Sequence, residues 1–580
     1  MALAAVAILA SATPSLGAQR VIPAAVTMSD TLVANPVTGE IVVLRGGAAA
    51  GQIAVLDPAS AQVRTASLGS APQPNGGPAL QVDPFRNRAY VQLTGGSLVA
   101  LDLASLAVTP VASGIAGFAI DPGNDRIWAI QGTALIAIDG QTLGVAAFSA
   151  WPPLLFWNSG IGGFRVDPVA GTVHVAMNGY DAVGIERWFA LEIGGSPLRV
   201  VGTSPVFSGW ADSAYALEPQ QRVVCFGRFA VTPLGGGCVS WPSGALSGLL
   251  PGVFGLLDLP GRSQWTAYND GASARIYAHE YGVPSPWFNE PWNAGLAALN
   301  PATRRIYVSF VPPANPPELR SIDLDTGVWQ PFGPPSATPA RIGSTTLDVA
   351  TNRVYWVGNL SYPDPIGIVE IDEPVAAAVP MTTAITPGTP TPNGSVTVAL
   401  AATSAWTPFD HPVLRIFYQV DSIDGRWQRA TPDGALAQVT ITGLSPGPHT
   451  IHAFATDGQE SLQPTMVVGP IASAVVVVPT QAACSNGADD DGDGVADFPA
   501  DPGCQTASSA LENPRCDDDL DNDSDGGIDW DGGAAGGTPD SYCAGTAWRD
   551  RESAPACGLG AELVLALAAL VRVQRRLGRG

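Results

Sequence analysis

One short pattern returns every 38 to 51 residues through the first two-thirds of the chain, and a repeat of that length limits the fold more than composition can. The pattern is an apolar residue, then Asp, Asn or Glu (usually with Pro), then a short turn and an apolar strand. Its anchors are Asn35, Asp83, Asp121, Asp167, Glu218, Asp258, Asn300 and Asp348. Pro ends one strand and the side chain before it caps the tight turn into the next, so the motif is structural before it is anything else. A second signature, Leu or Ile followed by Asp, occurs at Asp57, Asp102, Asp139, Asp323 and Asp372. Units of this size hold two to four short strands, the size of a β-propeller blade. Residues 20–375 therefore predict seven or eight blades, and the eight anchors favour eight.

The stretches 83–91, 300–308 and 348–356 most closely follow the order apolar-Asp-Pro, turn, Asn-Arg, apolar-Tyr-Val. They resemble YVTN-type propeller repeats, and the resemblance implies a ring of small sheets. It brings no catalytic or metal motif that can be placed here, and His174 and His279 stand in different units. Two Pro-rich segments, 151–157 and 286–292, are dense in aromatics. They read either as loops at the mouth of the ring that take sugars or peptides, or as covers for blade edges. Cys225 and Cys238 flank what reads as a hairpin; they form a bridge or remain two buried thiols.

At 580 residues the chain exceeds one core, and 66 Gly and 52 Pro between short apolar runs favour strands joined by turns. All 28 basic residues are Arg, which excludes a Schiff-base lysine, a P-loop lysine and a Ser-Lys dyad. Residues 1–18 read as a signal peptide with cleavage after Ala18, or else as a buried first strand. Residues 376–394 read as a stiff linker, and 395–479 as a β-sandwich. Within the latter, 444–457 resembles the late strands of fibronectin type III and bacterial Ig-like modules, which implies spacing or presenting a partner. His449 and His452 are three apart, so on a strand they face opposite ways and predict no metal site.

Residues 481–556 hold 18 Asp/Glu against three Arg, a surface that repels nucleic acid and attracts cations. Within the predicted stalk, 480–556, the pattern Asp-x-Asp-x-Asp-Gly-x-x-Asp occurs twice. The first copy uses Asp489, Asp491, Asp493 and Asp497, the second Asp521, Asp523, Asp525 and Asp529. Calcium takes six to eight hard oxygens, and alternating carboxylates on a turning loop supply several at once. An EF-hand would have Glu at the twelfth position, where Ala500 and Gly532 stand. The loops instead resemble thrombospondin type 3 calcium repeats. Cysteines bracket each copy, so the expected bridges are Cys484 with Cys504 and Cys516 with Cys543, one of three possible connectivities. The alternative is a solvated, disordered acidic linker.

The last segment, 557–580, is Cys557, a short apolar run and four arginines. It resembles the MYXO-CTERM and PEP-CTERM sorting tails, which implies sorting machinery as a partner and membrane contact before processing. Cys557, the odd seventh cysteine, suits a modified residue. The whole reads as an all-β protein: a seven- or eight-bladed β-propeller, then a sandwich, a calcium- and disulfide-stabilised stalk and a short apolar helix. The expected function is an exported binding scaffold, secreted or on the outer surface of a Gram-negative bacterium, with a protein or carbohydrate ligand on the propeller. The rival is an exported lyase, lactonase or glycosidase working at the central channel, for which the sequence names no catalytic residue.

Overall fold

The chain is built from short strands and tight turns. The computed structural model describes residues 19–150, 157–404, 413–458, 468–554 and 570–572, less 74–78, 133 and a series of short stretches between 181 and 380; for most strands between 208 and 345 it describes the backbone alone. Residues 1–18, expected as a signal peptide, residues 151–156 and Cys557 lie outside the described residues.

Eight antiparallel sheets follow one another in chain order among the described residues, at 31–67, 80–112, 115–150, 157–208, 213–250, 253–290, 293–332 and 342–372. Each has four strands in a meander, the fourth sheet adding the two-residue strand Phe207–Ser208. The last sheet draws its fourth strand from the other end of the chain: Gln19–Ile22 pairs with Gly367–Asp372. The first strand of every sheet touches the first strand of the next, and that of the eighth touches that of the first. The ring is closed, with eight blades.

The anchors explain the periodicity. Each lies at or next to the end of the first strand of its blade, and the side chains of Asn35, Asp83, Asp167 and Asp348 cap the turn that follows. Asp83 accepts the amides of Phe85 (3.0 Å) and Arg86 (3.2 Å), and Asp167 those of Val169 (3.0 Å) and Ala170 (2.9 Å). The residue four places on adopts the left-handed conformation: Gly39, Asn87, Asp125, Gly171 and Asn352 have φ between 51° and 74°. That position admits Gly, Asn and Asp at low cost, which is why those residues fill it. Neighbouring turns are tied by buried amides, Asn35 donating to Asn87 (3.0 Å) and Asn300 to Asn352 (3.2 Å). The apolar core lies in layers between blades, as with Val42, Val55, Val82 and Val91 between the first two.

Segment 286–292 falls largely on a blade edge, one of its two readings: Val283–Glu290 is the outer strand of the sixth blade. One expectation needs correction. Within the expected linker, Met381–Pro387 is a strand paired with Val396–Ser404. That strand begins a sandwich of two sheets, one of Met381–Pro387, Val396–Ser404 and Leu436–Ile441. The other comprises Gln428–Arg429, Arg415–Val420, Gly447–Thr456 and Ala472–Val478.

The ring and most of the sandwich form one compact unit; residues 389–396, 441–449 and 477 onward form a second. Inside the first, the sandwich docks on the capped turns of the early blades. Phe85 stacks on Phe417 (4.2 Å between ring centroids) and meets Phe454 (5.6 Å), while the Trp427 amide donates to the Phe85 carbonyl (2.7 Å). Buried Arg415 donates to the Pro168 carbonyl (2.8 Å), and Arg429 to that of Gly123 (2.9 Å). Truncating Phe417 to Ala should cost about 3–5 kcal/mol, because it leaves a cavity in the apolar cluster with Val37, Phe85, Trp427, Phe454 and Val468 that joins the two parts. The expected readout is faster tryptic cleavage at Arg426 and Arg429 than in the wild type; an unchanged digest would refute the docking role.

Candidate metal centre

The cysteine-bracketed region has almost no regular secondary structure among its described residues beyond the 3-10 turn Ala483–Ser485. Two disulfides hold it, Cys484–Cys504 and Cys516–Cys543, with Cα atoms 5.6 and 5.5 Å apart. With so few apolar residues, cross-links and polar bonds must do what a core does elsewhere.

The two copies share several bonds. Asp489 accepts the amides of Gly492 (2.7 Å) and Gly494 (3.0 Å); Asp521 accepts those of Ser524 (2.6 Å) and Gly526 (3.1 Å). Gly494 and Gly526 turn the loop at φ 93° and 92°, a conformation that a side chain would strain. The Phe498 amide donates to the Cys484 carbonyl, as the Trp530 amide does to that of Cys516. Glu512 accepts the amides of Asp490 (2.6 Å) and Asp497 (2.9 Å); Glu552 accepts those of Asn522 and Asp529.

Oxygens of Asp489, Asp491 and Asp493 gather within 4.8 Å of one another. In the second copy two groups do so, Asp521–Asp523–Glu552 and Asp523–Asp525–Asp540, sharing Asp523. Asp497 and Asp529 are not in these groups. Asp529 spends both oxygens on the amides of Asp518 (3.0 Å) and Asp519 (2.6 Å), and Asp497 gives one to Gly487 (2.9 Å). Both stand in the left-handed conformation, and the other oxygen of Asp497 is buried without a partner. Sequence reasoning missed Asp501, Asp540, Glu512 and Glu552. Overlaying the two copies would have paired Asp501 with Asp540, since each stands three residues before the closing cysteine.

Among the described residues no Arg forms an ion pair with any of these carboxylates. Burial, reinforced by neighbouring carboxylates, pushes Asp517 up to about 7 and Asp529 up to about 6, and raises Asp491 and Asp501. Such a set of oxygens could hold a metal ion, and its donors suit a hard cation. All-oxygen ligation excludes the tetrahedral N/S chemistry of zinc, and the cysteine sulfurs are already bonded to each other.

The other candidate positions are less informative. The backbone register sets Cys225 opposite Cys238 on adjacent strands of the fifth blade, but both side chains lie outside the described residues. His174 is buried in the fourth blade with its ring 5.3 Å from that of Trp241. No described helix is long and apolar enough to cross a membrane.

No protein-family model matches the sequence, and no curated protein matches it. Among solved structures, the chain is similar to the Myceliophteria thermophila Cps50 (Swd1) β-propeller domain, at 9% identity over 61% of this chain and 99% of that one, with a TM-score of 0.36. It is also similar to an oligogalacturonate lyase in complex with manganese (10% identity, 62% and 98% covered, TM-score 0.37). A third is the dihydro-heme d1 dehydrogenase NirN in complex with DHE (15% identity, 59% and 75% covered, TM-score 0.41).

Proposed function

We propose that this chain is an exported binding scaffold whose ring presents a protein or carbohydrate partner and whose C-terminal modules fold around calcium. One observation carries the reading: Asp540 and Glu552 are only 1–2% exposed, gather with Asp521, Asp523 and Asp525, and among the described residues form no ion pair with an arginine. Burying charge without a counter-charge is too costly to persist, and a hard divalent ion supplies the counter-charge.

Disulfides persist in oxidising compartments, which supports export. Cleavage after Ala18 would leave Gln19 first, and Gln19 opens the strand that closes the ring. The YVTN and fibronectin type III likenesses draw support from the capped turns and from the three- and four-stranded sheets of the sandwich. With the sandwich on the first-to-second-strand turns of the early blades, the face left for a partner is the opposite one. There the connection between the second and third strands of the fourth blade exposes Val183 (78%) and Ile185 (49%), apolar groups that suit a contact. The tail would then place the protein at the outer surface of a Gram-negative cell.

Calorimetric titration of calcium into the full disulfide-bonded chain should show uptake at or below the about 10⁻⁴–10⁻³ M range of extracellular modules. No bound ion at several millimolar would remove the metal reading. Recovery of the protein from the source cells with Gln19 at its N-terminus would support export, and an intact Met1 would argue against it.

A further inference from the structure

The second copy's Asp-x-Asp-x-Asp loop does not enclose a cation by itself. Asp521, Asp523 and Asp525 supply six carboxylate oxygens at most, and several already hold the amides of Ser524, Gly526, Asp525 and Gly527. Calcium takes six to eight oxygens around its whole surface, so a loop on one side leaves the other open.

We propose that Asp540 and Glu552 are the ligands that close this cage, with Asp501 and Glu512 their counterparts in the first copy. This rests on the reading that the modules bind a hard divalent cation. Asp540 is 1% exposed; its Oδ1 accepts the amides of Tyr542 and Cys543, while its Oδ2 is buried and has no partner. That carboxylate lies in one group with Asp523 and Asp525, and Glu552 lies in another with Asp521 and Asp523. A desolvated oxygen facing like charges with no donor is the signature of a missing cation. Such an oxygen would otherwise raise the energy of the folded module.

The fold delivers both residues from far along the chain. Asp540 caps the turn that carries Cys543, and the bridge to Cys516 brings that turn to the start of the loop. The Cys516 amide donates to the Arg549 carbonyl (3.0 Å), three residues before Glu552. In the first copy the Cys484 amide donates to the Ser509 carbonyl, three residues before Glu512. The same delivery appears twice in unrelated intervening sequence, so it belongs to the module rather than to one loop.

Calcium titrations of the full, disulfide-bonded chain would compare wild type, Asp540→Asn, Glu552→Gln and the control Asp531→Asn, an exposed carboxylate of the same module. Each of the first two should weaken one class of sites at least about tenfold, as much as loss of even an outer-shell partner costs. Asp531→Asn should bind as the wild type does. Without calcium, Asp540→Asn should melt no lower than wild type, because it removes a buried charge; a merely structural role would lower that midpoint. Should Glu552→Gln unfold the module, since it holds two backbone amides, Asp540→Asn carries the test alone. Wild-type calcium affinity in Asp540→Asn overturns the proposal while the cation reading stands. A wild-type chain that takes up no calcium overturns both.

Discussion

Stripped of divalent cations, the C-terminal modules should be more stable at pH 5 than at pH 8, and calcium should reverse that order. The sign follows from proton counts. Burial lifts Asp517 to about 7 and Asp529 to about 6, against an ordinary value of 3.8 for the unfolded chain. Between pH 4 and 7 the metal-free folded state therefore holds protons that the unfolded state has released. Stability is then full below about pH 4 and falls as pH rises through the folded values. Calcium bound nearby supplies positive charge that favours the ionised carboxylates at neutral pH, and protonation opposes its binding when the solution is acidified. At about 5 mM calcium and a dissociation constant near 10⁻⁴ M, each site adds about 2.3 kcal/mol. Two sites in a module region of under 80 residues correspond to a rise of at least ~10 °C in its melting midpoint at pH 8. Calorimetric scans of the full chain at pH 5 and 8, with EGTA or calcium, would show it. A C-terminal transition indifferent to calcium at both pH values would refute the account.

The ring was legible because its signal is local. A turn capped by Asp83 or Asp167 and closed by a left-handed residue is written within five consecutive positions, so it repeats visibly wherever a blade repeats. The closing strand was hard to see, because Gln19–Ile22 is only four residues and becomes a strand only through a partner at the far end of the ring. The seat of the sandwich was invisible for the same reason. Phe85 reads as an ordinary turn residue, and only its stacking on Phe417 gives it a second role. In Met381–Pro387 the neighbouring prolines and glycines outweighed a Thr-rich edge strand.

The candidate site divides the same way. The Asp-x-Asp-x-Asp-Gly loops and their glycines are contiguous, and were found. Asp497 and Asp529 belong to the same pattern and in the fold also hold backbone amides of the loop, a detail that spacing along the chain does not report. Asp540 and Glu552 join the loop only after Cys516 and Cys543 are bridged, so their role depends on a cross-link that spacing suggests but does not orient.

The second large effect concerns ring closure. Deleting Gln19–Ile22 leaves the eighth blade with three strands and uncovers a cluster that includes Leu32, Tyr355, Val357 and Ile368. Two interactions hold the strand, and their magnitudes differ. Arg20 makes a two-pronged ion pair with Glu370 (3.0 and 2.9 Å), but Arg20 is partly exposed, and such pairs are worth about 0–1 kcal/mol. Ile22 is 1% exposed between blades, and Ile22→Ala should cost about 2–5 kcal/mol. Arg20→Ala should therefore shift the ring's melting midpoint little, Ile22→Ala by several degrees, and the deletion by more than both together. The deletion should also leave Gly367–Asp372 as an unpaired strand edge, which favours association of opened rings on heating. Thermal scans with light scattering would rank the three variants. If Arg20→Ala were the more damaging of the two substitutions, the ring would be held shut by charge rather than by apolar packing.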